Sequence, residues 1–247
     1  MGDPERLLDL LWGAAEPPKR GPKPSLTVRQ IVTTAIEVAD AEGLGAVSMH
    51  RIGKELDVTP MSLYRYVPSK HDLLELMFDT AVGRPPSDLV GDGPWRAELA
   101  RWARLQKDFC RRRPWTVELP ISGPPMGPNN LAWMNVALEA LAGTGLTEAD
   151  KLLILLMLTV YVRGESTLGL QISEASTRTG VSEQERYRVY ATLMQRIAEG
   201  NRFPAIARLA RSGIFEEEDT DPDGDFEFGL ERILDGVQVL IDNRSRA

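Results

Sequence analysis

The run from Val47 to Lys70 contains three helix starts so closely spaced that one local arrangement satisfies them all. Ser48 can accept from the orphan N–H groups of a helix running to Leu56. Thr59 can do the same for a second helix, with Pro60 at its first position, where the missing N–H costs nothing. Only Asp57 and Val58 remain for the turn, and Asp tolerates the left-handed backbone that such a turn usually asks of glycine. Gly53 leaves room at the helix crossing, while Ile52, Leu56, Val58 and Leu63 supply the apolar contact that fixes the angle. The unit is a helix-turn-helix, the arrangement that places a second helix in a DNA groove.

The flanks agree. Thr27 with Gln30 forms a capping box, and the helix it opens carries Ile31, Ala35, Val38 and Ala39 on one face until Gly43 ends it. Ser69 with Asp72 forms another and opens a helix through about Val82. Lys70 then sits in a first turn, where the helix dipole favours anions, and a DNA phosphate would supply the missing one.

The segment Met61-Ser62-Leu63-Tyr64-Arg65-Tyr66-Val67-Pro68-Ser69-Lys70 closely resembles the recognition-helix signature of the TetR family of bacterial transcriptional regulators. Thr27 to Val82 resembles that family's DNA-binding domain, with Asp57 where the turn commonly carries Gly and His50 where Arg is common. The resemblance implies an all-α chain: an N-terminal three-helix helix-turn-helix domain joined to a larger helical domain for effector binding and dimerisation. The expected division is an arm over 1–25, basic at 19–23, a DNA-binding domain over 26–83 and an effector and dimerisation domain over 94–247. It further implies a homodimeric repressor on double-stranded, palindromic operator DNA, released by a small lipophilic or aromatic effector, with neither cofactor nor catalysis.

Composition is compatible. The chain's 247 residues suffice for two cores, and its single cysteine, Cys110, excludes an intrachain disulfide and fits a reducing cytoplasm. Residues 1–20 lack the apolar run of a signal peptide, and the longest apolar stretch, Leu152 to Val162, is far below the ~20 residues that span a bilayer. The net charge of −7 argues against nucleic acid until its distribution is read. Residues 19–70 hold eight Lys or Arg and five acids, so 8 − 5 = +3, and the acid lies elsewhere. An acidic body with a basic end orients the molecule on DNA and weakens non-specific binding.

The first turns of the second helix nominate Thr59, Pro60, Met61, Ser62, Tyr64 and Arg65 as DNA contacts, together with Lys70, while Leu63 and Tyr66 face the core. Thr27, Arg29 and Ser48, at neighbouring helix starts, join the candidates. Pro60 and Met61 favour thymine methyls; Arg65 can bond guanine or phosphate. For Tyr64 a packed ring with its hydroxyl on phosphate is preferred to base reading. Lys19, Arg20 and Lys23 lie in a proline-rich run that cannot be helical, and form either a minor-groove arm or a solvated linker. Arg6 to Trp12 is too short to stand alone as a helix, and is expected to dock on the rest of the protein.

After Pro94 the periodicity predicts helices over 95–112, 129–142, 147–172, 182–199, 203–211 and 226–243. Trp102, Leu105, Phe109, Trp115 and Trp133 read either as core or as the wall of an effector pocket. Tyr161, Arg163 and Glu165 follow on the longest helix; an internal Arg163–Glu165 ion pair is preferred over polar anchors for a ligand. Both histidines, His50 and His71, belong to the DNA-binding part. The second domain therefore cannot hold a metal-chelated drug through imidazole, as the regulator that gave the family its name does, although oxygen-only magnesium binding stays open. Leu230, Ile233, Leu234, Val237, Leu240 and Ile241 form a stripe that, with the apolar face of 147–172, predicts an intersubunit four-helix bundle.

Asp219, Asp221, Asp223 and Gly224 imitate the start of a calcium loop, but its twelfth position is Leu230, so an acidic loop is preferred. No Ser/His/Asp, Cys/His or glycine-rich phosphate constellation is present. The rival classes are a ligand-independent DNA-binding protein with a purely structural second domain and an all-helical enzyme; the latter lacks acid-base residues where it would need them.

Overall fold

The computed structural model describes residues 4–13, 26–91, 93–121, 123–200, 202–215 and 223–246. Twelve α-helices and no strand occur among them: α1 (Pro4–Leu11), α2 (Val28–Glu42), α3 (Met49–Glu55), α4 (Pro60–Tyr64), α5 (Lys70–Val82), α6 (Trp95–Arg112), α7 (Trp115–Glu118), α8 (Pro128–Ala140), α9 (Glu148–Thr179), α10 (Glu183–Glu199), α11 (Pro204–Arg211) and α12 (Gly224–Ser245). Lys19, Arg20, Lys23, Asp219 and Asp221 lie outside the described residues.

The predicted caps form. Thr27, Ser48, Thr59 and Ser69 each accept from the N–H three residues on, that of Gln30, Arg51, Ser62 and Asp72 respectively. The reciprocal halves of the two expected capping boxes differ. Gln30 accepts the Thr27 hydroxyl at 2.9 Å, and no return bond from the Ser69 N–H to Asp72 is made. The complete box is at Thr147, whose hydroxyl accepts from Asp150 N–H while its own N–H donates to the Asp150 carboxylate. A strong start there suits the longest helix among the described residues.

That helix runs seven residues past the expected end at 172. The tail reads as loop because it is rich in Ser and Thr, yet Ser176, Thr177 and Thr179 each donate to a carbonyl four residues back. It stops only at Gly180, which takes the left-handed conformation with φ 67°. At 32 residues α9 is long and apolar enough, by length and composition, to cross a membrane. One side of it is nonetheless core: Ile154, Leu155, Leu158 and Val162 are buried.

Two cores result. The first gathers α2–α5 around Ile31, Ile52, Leu63, Val67, Leu73 and Met77, with Leu10 and Leu11 of α1 against it; Leu7 of α1 is itself 3% exposed. The second gathers α6, α8, α9 and α12 around Leu99, Trp102, Leu141, Leu158, Phe226, Leu230 and Leu234. Phe109, Trp115 and Leu119 cross the chain's own division, since they follow the linker but pack in the first core. The four-residue α7, absent from the predicted helices, makes this crossing.

The units are joined at α5. Asp79, 5% exposed, accepts from the N–H of Asn129 and Asn130 and from both their side-chain amides, closing the N-terminus of α8. Gly127 allows the approach, because a Cβ there would lie 2.1 Å from the carboxylate. Trp133 Nε1 donates to the Gly83 carbonyl at 3.0 Å, and Arg113 Nη1 to that of Ala81 at 2.8 Å.

Candidate functional site

The DNA-facing unit is built as its sequence dictates. Asp57 adopts φ 54°, alone among non-glycine described residues, and Val58 N–H returns to the Gly53 carbonyl at 2.8 Å. Gly53 is required because a Cβ would meet the Val58 carbonyl at 2.7 Å. The turn thus presses α4 against α3 backbone to backbone. Leu63 is fully buried and Tyr66 half-buried in the core, so the rest of α4 must point outward.

Thr59, Met61, Tyr64 and Arg65 are exposed and Pro60 and Ser62 half-buried; Met61, at 73%, is the most exposed of the large apolar side chains among the described residues. Thr59 and Ser62 hydroxyls lie 3.0 Å apart. Lys70, Thr27 and Arg29 are exposed at helix starts, and Ser48 is half-buried, its oxygen engaged as a cap.

Charge pairing separates the cations of this unit. Arg51 is held by Glu42 at 2.7 Å and Glu55 at 2.6 Å, which raises its pKa and occupies its donors. Arg29, Lys54, Arg65 and Lys70 form no ion pair among the described residues, so no carboxylate there offsets their charge. Arg51, counted in the sequence balance, is spent internally. Its two acidic partners carry no sequence signal beyond the i,i+4 spacing to Glu55.

In the second unit the aromatic residues are tied down. Trp102 is buried, its indole N–H donating to the Trp133 carbonyl at 3.0 Å. Trp115 donates to Asp40 of α2 at 2.6 Å, and with Phe109 belongs to the first core. Leu105 is half-buried beside the second. Tyr161 stacks on Phe226 at 5.4 Å and donates to its carbonyl at 2.9 Å. The expected Arg163–Glu165 ion pair does not form: two residues apart on a helix, the side chains point in different directions. Arg163 donates instead to the carbonyls of Thr116, Val117 and Leu119 at 3.4, 2.7 and 2.5 Å, and Glu165 stands half-buried beside Tyr161. A cleft of about 590 Å³ is lined by other residues, among them Trp95, Glu98, Glu139 and Thr144.

The α12 stripe is also placed differently from expectation. Leu230, Leu234, Val237 and Ile241 are buried in the protomer's own core, with Ile233 and Leu240 half-buried against it. The large apolar side chains left outside are Phe228 and Val239 on α12 and, on α9, Leu152, Leu153, Leu156, Met157, Val160, Leu168 and Ile172. Sequence periodicity favours the inward face of α12 because that face is the more regular.

Asp223 pairs with Lys107 at 2.8 Å, and no cluster of three or more metal-ligating side chains occurs among the described residues.

An outward recognition helix on a small helical unit, bolted to a larger all-helical body, defines a helix-turn-helix DNA-binding regulator. The model of bacterial regulatory proteins of the tetR family matches residues 31–77, and that of the tetracyclin repressor-like C-terminal domain matches 86–241. The chain belongs to the TetR family of transcriptional regulators. It is 41% identical over 247 residues to the HTH-type transcriptional repressor DrrR1 of Streptomyces coeruleorubidus, spanning 98% of this chain and 88% of that one. Among solved structures, apo ActR from Streptomyces coelicolor is 28% identical with a TM-score of 0.71, over 90% of this chain and 99% of that one. ActR in complex with actinorhodin has a TM-score of 0.69 at 28% identity, over 87% and 98%.

Proposed function

We propose that the chain is a homodimeric repressor that sits on a palindromic operator and leaves it when a small lipophilic or aromatic effector binds the second domain, over 94–247. The observation that carries this reading is the outward face of α4: Met61, Tyr64 and Arg65 are exposed while Leu63 of the same helix is fully buried. In it, α4 enters the major groove, Thr59 to Arg65 meet base edges and phosphate, and Lys70 and Arg29 anchor the backbone. Lys19, Arg20 and Lys23 add a minor-groove arm.

The exposed α9 row is the dimer face. Leu152, Leu153, Leu156, Met157 and Val160 lie in water along one side of a helix about 48 Å long, a surface that a second copy would cover. A two-fold pair then presents two copies of α4 to successive major grooves, ~34 Å apart. The working site is the cytoplasm, where operator DNA is found. Repression as the sign agrees with the relative described as a repressor, and a small-molecule effector agrees with the neighbour solved with actinorhodin.

Fluorescence anisotropy with the DNA upstream of the chain's own gene tests this reading. Tight, salt-sensitive binding by a dimer, reversed by a lipophilic aromatic compound, is the expected result. Binding that no such compound changes favours a ligand-independent DNA-binding protein. The tethered indoles of Trp102, Trp115 and Trp133 are the observation on that side.

A further inference from the structure

We propose that Arg163 is the contact through which an effector acts: its guanidinium holds α7 in the ligand-free protein, and an effector presenting an anionic oxygen draws it away. This rests on the ligand-responsive reading above and names both the effector's chemistry and the element it moves.

Arg163 belongs to α9, but all three of its acceptors are carbonyls of one short segment: Thr116, Val117 and Leu119. None is a carboxylate, and burial lowers the guanidinium's pKa, with only the Cys110 thiol acting in the opposite direction. A partly desolvated cation satisfied only by neutral oxygens gains when an anion arrives, because attraction between opposite charges, strong away from bulk water, is then added to the hydrogen bonds. One turn further along α9, the Ser166 hydroxyl is out of contact with solvent and lacks a hydrogen-bond partner of good geometry. The Cys110 thiol lies between it and Thr116, and a ligand oxygen reaching this polar group would satisfy the hydroxyl.

The other side of α7 grips the DNA-binding unit. Trp115, 2% exposed, donates to Asp40 on α2 at 2.6 Å. Arg113 reaches the same carboxylate at 3.2 Å and the Ala81 carbonyl of α5 at 2.8 Å. Leu119, whose carbonyl Arg163 holds, is buried in the first core. A shift of α7 is therefore felt at α2 and at the last turn of α5, whose first turn carries Lys70. The path from Arg163 to both elements consists of direct contacts.

The test measures operator affinity of the full-length wild type, Arg163→Gln, Asp40→Ala and the double variant, each checked for an unchanged melting curve. Arg163→Gln is expected to mimic the released state and to lose affinity by about 5- to 150-fold. The double variant is expected to lose much less than the product of the two single losses, because both act through α7. Wild-type affinity in Arg163→Gln, or losses that simply multiply, overturns the proposal. If Arg163→Gln does not fold, Arg163→Lys, which keeps the charge but cannot span three carbonyls, takes its place with the same outcomes. A second arm compares 2-naphthoate with 2-methylnaphthalene on the wild type. A larger release by the carboxylate supports the proposed chemistry, and equal responses, including none, overturn it. A wild type that binds no operator would sink the underlying reading instead, whereas a releasable wild type with an indifferent Arg163 sinks only this inference.

Discussion

The carboxylate of Asp79 accepts the main-chain N–H of Asn130 at 2.9 Å, so the last turn of α5 caps the first turn of a helix 51 residues further along. A helix N-terminus favours an anion, and here the anion comes from another unit, without a Lys or Arg in the contact. The consequence is mechanical: the two units are fastened at a point where a small displacement breaks several charge-assisted bonds together.

Replacing Asp79 by Ala is therefore expected to cost about 2–5 kcal/mol, because buried donors lose an ionised acceptor. Thermal or urea unfolding measures it. Gly127→Ala is expected to destabilise in the same direction, since its Cβ would press on that carboxylate.

At the recognition surface, Tyr64→Ala and Lys70→Ala are expected to weaken operator binding by about 1–3 kcal/mol each with unchanged melting temperatures. For Lys70 the slope of log affinity against log salt is expected to fall by about one, the signature of a lost phosphate contact. Anisotropy across a salt series reads both, and an unchanged slope for Lys70→Ala counts against its docking on phosphate.

Leu156→Glu on the exposed face of α9 is expected to leave a folded monomer with little affinity for a palindromic site. Sedimentation equilibrium decides it. The same change at Leu234, which is fully buried, is expected to unfold the protomer instead, and the pair separates interface from core.

Acid stability follows from the carboxylates held by arginine and lysine. Arg104 pulls Glu227 below its ordinary pKa, Lys107 does so for Asp223, and Arg244 for Asp150. A group whose folded pKa is depressed stabilises fully above its unfolded value and loses that contribution as pH falls through the folded one. Stability is expected to be flat with respect to these pairs near neutrality and to decline below about pH 4. Urea midpoints between pH 3 and 7 check it, and Glu227→Gln is expected to flatten the acid limb.

Legibility in the amino-acid sequence differs by element, and so do its causes. The helix-turn-helix is legible because its signals are local: Ser48, Thr59 and Pro60 act within three residues, and Asp57 meets its left-handed position at φ 54°. The extent of α9 is not, since Ser and Thr look like loop until their hydroxyls find carbonyls of the same helix. Nor is the fate of Arg163. Sequence spacing offers Glu165 as a partner, whereas the acceptors are backbone atoms some 44 to 47 residues earlier, which leave no trace in residue identity. The α12 stripe misleads for a similar reason, because periodicity shows that a stripe is apolar but not which neighbour covers it.

The α4 helix is five residues long, far too short to keep its shape in water by itself, and it is held by a cap, a proline and one inward leucine. Its remaining positions bear no weight in the fold. Duplicated descendants of such a gene are free to exchange the exposed Met61, Tyr64 or Arg65 and so vary the outward face, while the rest of the chain is inherited intact.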